Sequence, residues 1–301
     1  MDFVNADNEK GIITKAVGGL YFVETSGGIF ECKARGIFRK DELSPCAGDN
    51  VLINPENKVI TKILERKNSI IRPPIANLDQ LVFVISTCEP EPNFTVVDKF
   101  VAVAEFKKIE PVVVITKVDL ERGDEIKQIY ESVGIKVLVI DYSIPDCCAE
   151  LYSLLEGKIS AFTGNSGVGK STLLNHIDPS FKIETNEISK KLGRGKHTTR
   201  QVELYKLKNG GYVADTPGFS SFDINKYDII LKEQLAGCFR EFAPFAGKCR
   251  FLDCSHTKEK GCAIIEAAQN GIIAKSRYKS YVLMYEEAKQ IKEWEVKSKK
   301  Q

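Results

Sequence analysis

The chain has 301 residues, 43% of them apolar and 28% charged, enough to bury substantial cores and to divide into two or three soluble, globular domains. A net charge of +2 excludes a basic field over the whole molecule, so any nucleic-acid affinity has to come from local patches. No apolar run approaches the ~20 residues that span a bilayer, and the start MDFVNADNEK lacks the basic-then-apolar pattern of a signal peptide, which predicts a cytoplasmic protein with no membrane partner.

Five short β-type runs, GIITKAV, LYFVET, GIFECKA, NVLINP and VITKIL, occupy about 11–65 between glycine-containing turns. Five strands with no long helix predict a small closed barrel of OB type, domain 1–68. Lys33, Arg35, Arg39 and Lys40 are open to two readings, a solvated face or an RNA contact. The polar stretch ERKNSIIRPPIANLDQ at 65–80 reads as a linker.

The rhythm then changes. Buried-strand runs at 81–87, 111–116, 136–140 and 159–164 alternate with the helical patterns TVVDKFVAVAEFKK and ERGDEIKQIYES, predicting a parallel sheet with covering helices over 69–222. Two more strand-like runs, QVELYKL and GGYVADT, complete it. The remainder, 223–301, is expected to be helical, with Tyr278, Tyr281, Tyr285, Ala288 and Ile291 forming a core stripe at three- and four-residue steps.

Within the α/β region, GNSGVGKS at 164–171 matches G-x-x-x-x-G-K-[ST] between a strand and a helix, the context that makes this motif specific. Backbone N–H groups along Gly164, Asn165, Ser166, Gly167, Val168 and Gly169 approach phosphate oxygens, and the helix start adds free donors. Lys170 is placed on the β- and γ-phosphates, Ser171 on Mg²⁺ and Thr172 on the α-phosphate. DTPG at 215–218 follows a strand, so Asp215 suits a water-mediated Mg²⁺ contact and the Gly218 N–H can sense a γ-phosphate. In GRGKHTTR at 193–200, Thr198 or Thr199, with Thr199 preferred, could complete the metal shell.

TKVD at 116–119 also ends a strand. Asp119 can accept from the N1–H and exocyclic amine of guanine, Lys117 can cover the ring, and Thr116 and Val118 complete the motif, which selects GTP over ATP. In ordinary GTPases the phosphate loop precedes the guanine motif; here it follows by some forty-five residues. Domain termini usually lie close together, so a chain can be cut and rejoined elsewhere with its sheet intact. The order reads as a circular permutation.

Near the C-terminus, Cys249, Cys254, His256 and Cys262 lie within CRFLDCSHTKEKGC. Three thiols and an imidazole suit the closed tetrahedron of one structural zinc. The other six of the nine cysteines read as scattered thiols, and His176 as an ordinary helix residue.

A β-barrel, then TKVD, GNSGVGKS, GKHTTR and DTPG in permuted order, then a Cys3His region, resembles the bacterial ribosome small subunit-dependent GTPase A (RsgA) family over nearly the whole chain. The resemblance implies a monomeric GTPase acting late in small-subunit maturation. Its barrel and zinc domain would grip the 16S rRNA of the 30S subunit, and the particle would stimulate hydrolysis. One departure is Thr116, where the family's motif normally has Asn; threonine lacks the amide that helps hold base and phosphate loop together. Phe219 follows DTPG, so the water-positioning glutamine of Ras-like enzymes is absent and His197 is the nearest candidate to orient water. Two competing readings are a stand-alone NTP hydrolase acting on a small molecule and an RNA-binding adaptor that only stores nucleotide. The first would need a substrate pocket with its own catalytic residues; the second predicts no stimulated turnover.

Overall fold

In the computed structural model, the described residues are 8–35, 38, 44–71, 73–181, 202–215 and 230–291. In chain order they form β1 (Glu9–Val17), β2 (Leu20–Thr25), β3 (Gly28–Ala34), β4 (Asn50–Asn54), β5 (Val59–Ile63), β6 (Ser69–Ile70), β7 (Ile75–Ala76) and β8 (Gln80–Ser86). Helix α1 (Phe94–Phe106), β9 (Glu110–Thr116), α2 (Asp124–Glu131), β10 (Lys136–Val139), α3 (Ala149–Leu154), β11 (Ile159–Thr163) and α4 (Lys170–Ile177) follow. Then come β12 (Glu203–Lys206), β13 (Tyr212–Asp215), α5 (Lys232–Leu235), α6 (Ala263–Gln269) and α7 (Lys275–Ala288). The chain divides into two compact units, Met1–Leu81 with Cys148–Thr163 and Ser171–Ser220, and Val82–Cys147 with Gly164–Lys170 and Ser221–Gln301.

In the first unit, strands β1 to β5 close in the order β1-β2-β3-β5-β4, and β4 returns to β1. Pairing is antiparallel except between β3 and β5. Alternation drives closure: Ile13, Val23, Cys32, Val51, Ile53 and Ile60 are fully buried and form the interior, while their neighbours along each strand face outward. The β1–β2 hairpin turns on Gly18 and Gly19, with φ of 59° and 84°, the mirror-image two-residue turn in which positive φ favours glycine. All five barrel strands expected from the sequence are present.

The stretch read as a linker is instead packed. Ile70, Ile75, Ala76 and Leu78 are no more than 2% exposed. Asn77 donates to Gly48 O at 2.9 Å and accepts from Lys67 N at 2.9 Å, and Arg66 forks onto Asp49 at 2.6 and 2.7 Å. Its polar residues satisfy buried backbone, which composition alone does not distinguish from solvation. The same unit holds β11 parallel to β13 and β12 antiparallel to β13, so its sheet is mixed. Strand β12 pairs with β1 at Glu203↔Lys15, reinforced by an ion pair at 2.7 Å.

In the second unit the strand order is β10-β9-β8, with β9 and β10 parallel. Strand β8 is buried along its whole length, as a strand covered on both faces must be. Asn93 caps α1 by accepting from Val96 N at 3.2 Å. Ala102 and Val103 of α1 share one apolar cluster with Phe239, Phe242, Cys262, Ile264, Tyr281 and Met284. Tyr281 and Ala288 are buried as the stripe predicts, with Tyr278 and Tyr285 packed partly buried beside them. Arg277 of α7, 1% exposed, bonds Asp98 of α1 at 2.8 Å and Glu241 at 2.7 and 3.0 Å. Its guanidinium also lies 4.9 Å from the Phe239 ring centre.

Candidate functional site

Strand β9 ends at Thr116, which is fully buried. Its hydroxyl reaches Val168 O of the phosphate loop at 2.7 Å and Ile85 O at 3.2 Å. One proton serves two carbonyls, and the shorter contact is to the phosphate loop. Thr116 lacks the amide of the family's motif, and its hydroxyl bonds the phosphate loop directly.

Lys117 then adopts φ 59°, and the turn carrying Val118 and Asp119 closes with Leu120 N donating to Lys117 O at 3.0 Å. Asp119 is exposed at the carboxyl end of the strand and Val118 is half-buried. The Lys117 ammonium donates to Glu89 O. Sequence reasoning missed Thr87, whose hydroxyl donates to Lys117 O at 2.8 Å. Its position just past β8, at the same end of the sheet as the guanine motif, was the available signal.

The phosphate loop depends on its glycines. Gly164, Gly167 and Gly169 have φ of 151°, 84° and 87°, and a Cβ on Gly164 would stand 2.3 Å from Val84 O. Val168 is buried and anchors the loop, leaving Ser166 and Gly167 exposed and Asn165 and Gly169 half-buried. The Lys170 ammonium donates across the loop to Gly164 O at 3.0 Å. Ser171 and Thr172 occupy the first turn of α4, where N–H groups have no intrahelical acceptor. Buried Leu173, Leu174 and Ile177 fix that helix, and His176 Nδ1 lies 2.8 Å from Thr172 O. Asp215 closes β13. His197, Thr198, Thr199, Gly218 and Phe219 lie outside the described residues.

The second cluster sits in the loop before α6. Ligand atoms of Cys249, Cys254, His256 and Cys262 all lie within 4.8 Å of one another. Cys249 Sγ is 3.5 Å from His256 Nδ1 and 3.7 Å from Cys262 Sγ, and His256 Nδ1 is 3.3 Å from Cys262 Sγ. A zinc tetrahedron with bonds of about 2.3 Å to sulfur and 2.0–2.1 Å to nitrogen has edges of roughly 3.5–3.8 Å, so the cluster fits zinc. Burial pushes the Cys254 thiol up to about 12 and the Cys262 thiol above its ordinary value, a cost that a bound dication reverses.

The shell around the ligands is built from α7 and one carboxylate. Tyr281 donates to Ser255 O at 2.9 Å, and Tyr278 to His256 O at 3.1 Å. Glu259 accepts from Ser255 N at 2.8 Å, Lys258 N at 3.0 Å and Thr257 N at 3.1 Å. Burial alone would raise the Glu259 carboxyl, yet the Ser255 hydroxyl and these N–H groups hold it down at about 2. Four protein donors would leave a zinc ion no open position, the donor set of a structural rather than a catalytic site.

The RsgA GTPase family model matches residues 63–225 and the RsgA N-terminal domain model residues 10–63. A small ribosomal subunit biogenesis GTPase RsgA from Caldanaerobacter subterraneus subsp. tengcongensis is 45% identical, covering 93% of this chain and 96% of the relative. The protein of that name from Streptococcus pneumoniae is 45% identical, covering 91% and 92%. Among solved structures, YjeQ from Thermotoga maritima aligns with a TM-score of 0.80 and 35% identity over 95% of this chain and all of that one. YloQ, described as a circularly permuted GTPase, aligns at 0.77 and 34%, covering 97% and 99%. The permuted motif order is thus the arrangement of a fold already solved, and the chain belongs to the RsgA GTPase family, as a circularly permuted GTP hydrolase.

Proposed function

We propose that this GTPase binds the small (30S) ribosomal subunit, assists its late maturation, and hydrolyses GTP to GDP and phosphate faster on the particle than alone. The observation that carries the reading is the 2.7 Å bond from Thr116 to Val168 O, which joins the guanine motif to the phosphate loop. Two motifs that are separate in sequence thereby serve one nucleotide. The relatives' names supply the particle.

In this reading Asp119 accepts from the guanine edge and Lys117 covers the ring. Gly164 through Gly169 present backbone N–H groups to the phosphates, Lys170 neutralises the charge that develops on the transferring group, and Thr172 holds the α-phosphate. Ser171 and Asp215 would hold Mg²⁺, which when bound would help neutralise the phosphate charge. Thr199 completes that shell, Gly218 senses the γ-phosphate and His197 orients the attacking water. With Phe219 in place of a glutamine, hydrolysis is slow until the particle orders these segments. Cys249, Cys254, His256 and Cys262 would hold one zinc ion as a fold staple.

The domains run 1–68, 69–222 and 223–301, with the barrel and the zinc domain on 16S rRNA. The protein acts as a cytoplasmic monomer; among the described residues no helix is long and apolar enough to cross a membrane. The test is GTP turnover with and without purified 30S subunits, in the wild type and in Lys170→Ala. Stimulation of the wild type, with the variant silent in both conditions, supports the reading. Equal turnover with and without subunits contradicts it.

A further inference from the structure

We propose that Thr87 is a positioning residue for guanine recognition, holding Lys117 and, through it, Asp119 in the orientation that reads the base; this rests on the assignment of Thr116–Asp119 to guanine. Lys117 has φ 59°, a left-handed conformation that a non-glycine residue keeps only where its surroundings hold it. Thr87 supplies much of that hold. Its hydroxyl donates to Lys117 O at 2.8 Å, and its N–H donates to Thr116 O at 3.1 Å. The side chain is only 4% exposed, so water does not replace these bonds.

Lys117 O is a hub. Besides the Thr87 hydroxyl it accepts from Leu120 N at 3.0 Å and Glu121 N at 3.4 Å, so the turn that carries Asp119 folds around this one carbonyl. From the other side, the Lys117 ammonium donates to Glu89 O, two residues beyond Thr87, and Ser86 Oγ donates to Pro90 O at 2.8 Å. Residues 86–90 therefore grip both ends of Lys117, the carbonyl and the ammonium. Fixing the carbonyl fixes the peptide plane that leads into Val118 and Asp119. A carboxylate that accepts two parallel bonds from guanine tolerates less misalignment than one accepting a single bond.

The two demands are separable with inosine diphosphate, which lacks the 2-amine and makes only one of the two bonds. Thr87→Val keeps the branched shape and removes the proton, Thr87→Ser keeps the hydroxyl, and Thr87→Cys leaves only a weak donor. Affinities for GDP and IDP would be measured beside the thermal midpoint of each variant. In Thr87→Val, GDP affinity should fall about five- to tenfold, the range of one hydrogen bond's net contribution. IDP affinity should fall less, narrowing the GDP/IDP ratio, with Thr87→Ser restoring both values.

Should Thr87→Val fail to fold, Thr87→Cys must show the same narrowing in weaker form. Unchanged GDP affinity in folded Thr87→Val or Thr87→Cys, or equal losses for GDP and IDP, would overturn the proposal, the second outcome marking a merely structural role. Asp119→Asn is the parallel control. If it leaves GDP binding intact, the guanine assignment itself fails, whatever Thr87 does.

Discussion

The nucleotide loops and the metal loop of the second unit are both irregular backbone carrying chemistry, and they are held by opposite means. Around Thr116–Asp119 and Gly164–Lys170 the chain supplies its own partners: Thr116 on Val168 O, Thr87 on Lys117 O, Lys170 on Gly164 O. The metal loop brings three thiols and an imidazole within 4.8 Å and braces the surrounding carbonyls from α7, but its ligand atoms need a cation to justify their proximity. A site that must admit and release a nucleotide is preorganised by small, local hydrogen bonds, whereas a site that only staples a fold depends on one strong interaction.

That contrast sets the scale of what each region loses. Stripping the metal, or Cys254→Ala, should remove up to about 10 kcal/mol of apparent folding energy and loosen residues 230–291, while GDP binding persists. Metal analysis with thermal unfolding checks this, and an unchanged melt would remove the metal as a staple. Next in size is Arg277→Ala, which leaves Asp98 and Glu241 buried without their partner and should cost about 3–5 kcal/mol in chemical denaturation. Arg277→Met combined with Asp98→Leu should lose less than the sum of the single changes.

Smaller effects belong to the nucleotide side. Thr116→Val removes the bond to Val168 O and should weaken GDP binding about fivefold by calorimetry, the effect of roughly 1 kcal/mol. The smallest concerns acid. The folded Glu259 carboxyl lies near 2 against an ordinary 4.5, so it stabilises the metal loop above the ordinary value and loses that contribution as pH falls from about 4.5 toward 2. Glu259→Gln should flatten the acid limb of the stability profile in that window, measured by circular dichroism.

What the sequence revealed follows the range of the interactions. Every strand of the barrel was legible because the alternation is local, and so was the grouping of Cys249, Cys254, His256 and Cys262, which lie within fourteen residues and come together in the fold. The 65–80 segment was misread because Asn68 and the buried Asn77, which satisfy backbone groups, have the same composition as a solvated linker. Arg277 and Asp98 are 179 positions apart, and no periodicity joins them. Thr116 was legible as a departure from the family motif, but its bond to the phosphate loop was not, since that depends on where Val168 O lies. The assignments at His197, Thr199 and Gly218 fall outside the described residues and stand as proposals.

If one site, read by Asp119 and powered by the phosphate loop, hydrolyses guanine nucleotide under the control of the small subunit, base choice and stimulation must both trace to it. The most direct measurement is hydrolysis of GTP and xanthosine triphosphate by wild type and Asp119→Asn, each with and without 30S subunits. An amide at this position presents a donor where guanine needs an acceptor, and it suits the 2-oxo group of xanthine. Wild type should turn over GTP faster on the particle, and the variant should lose GTP turnover but hydrolyse xanthosine triphosphate with the same stimulation. Undiminished GTP turnover by Asp119→Asn, or a wild type indifferent to the subunit, would contradict it.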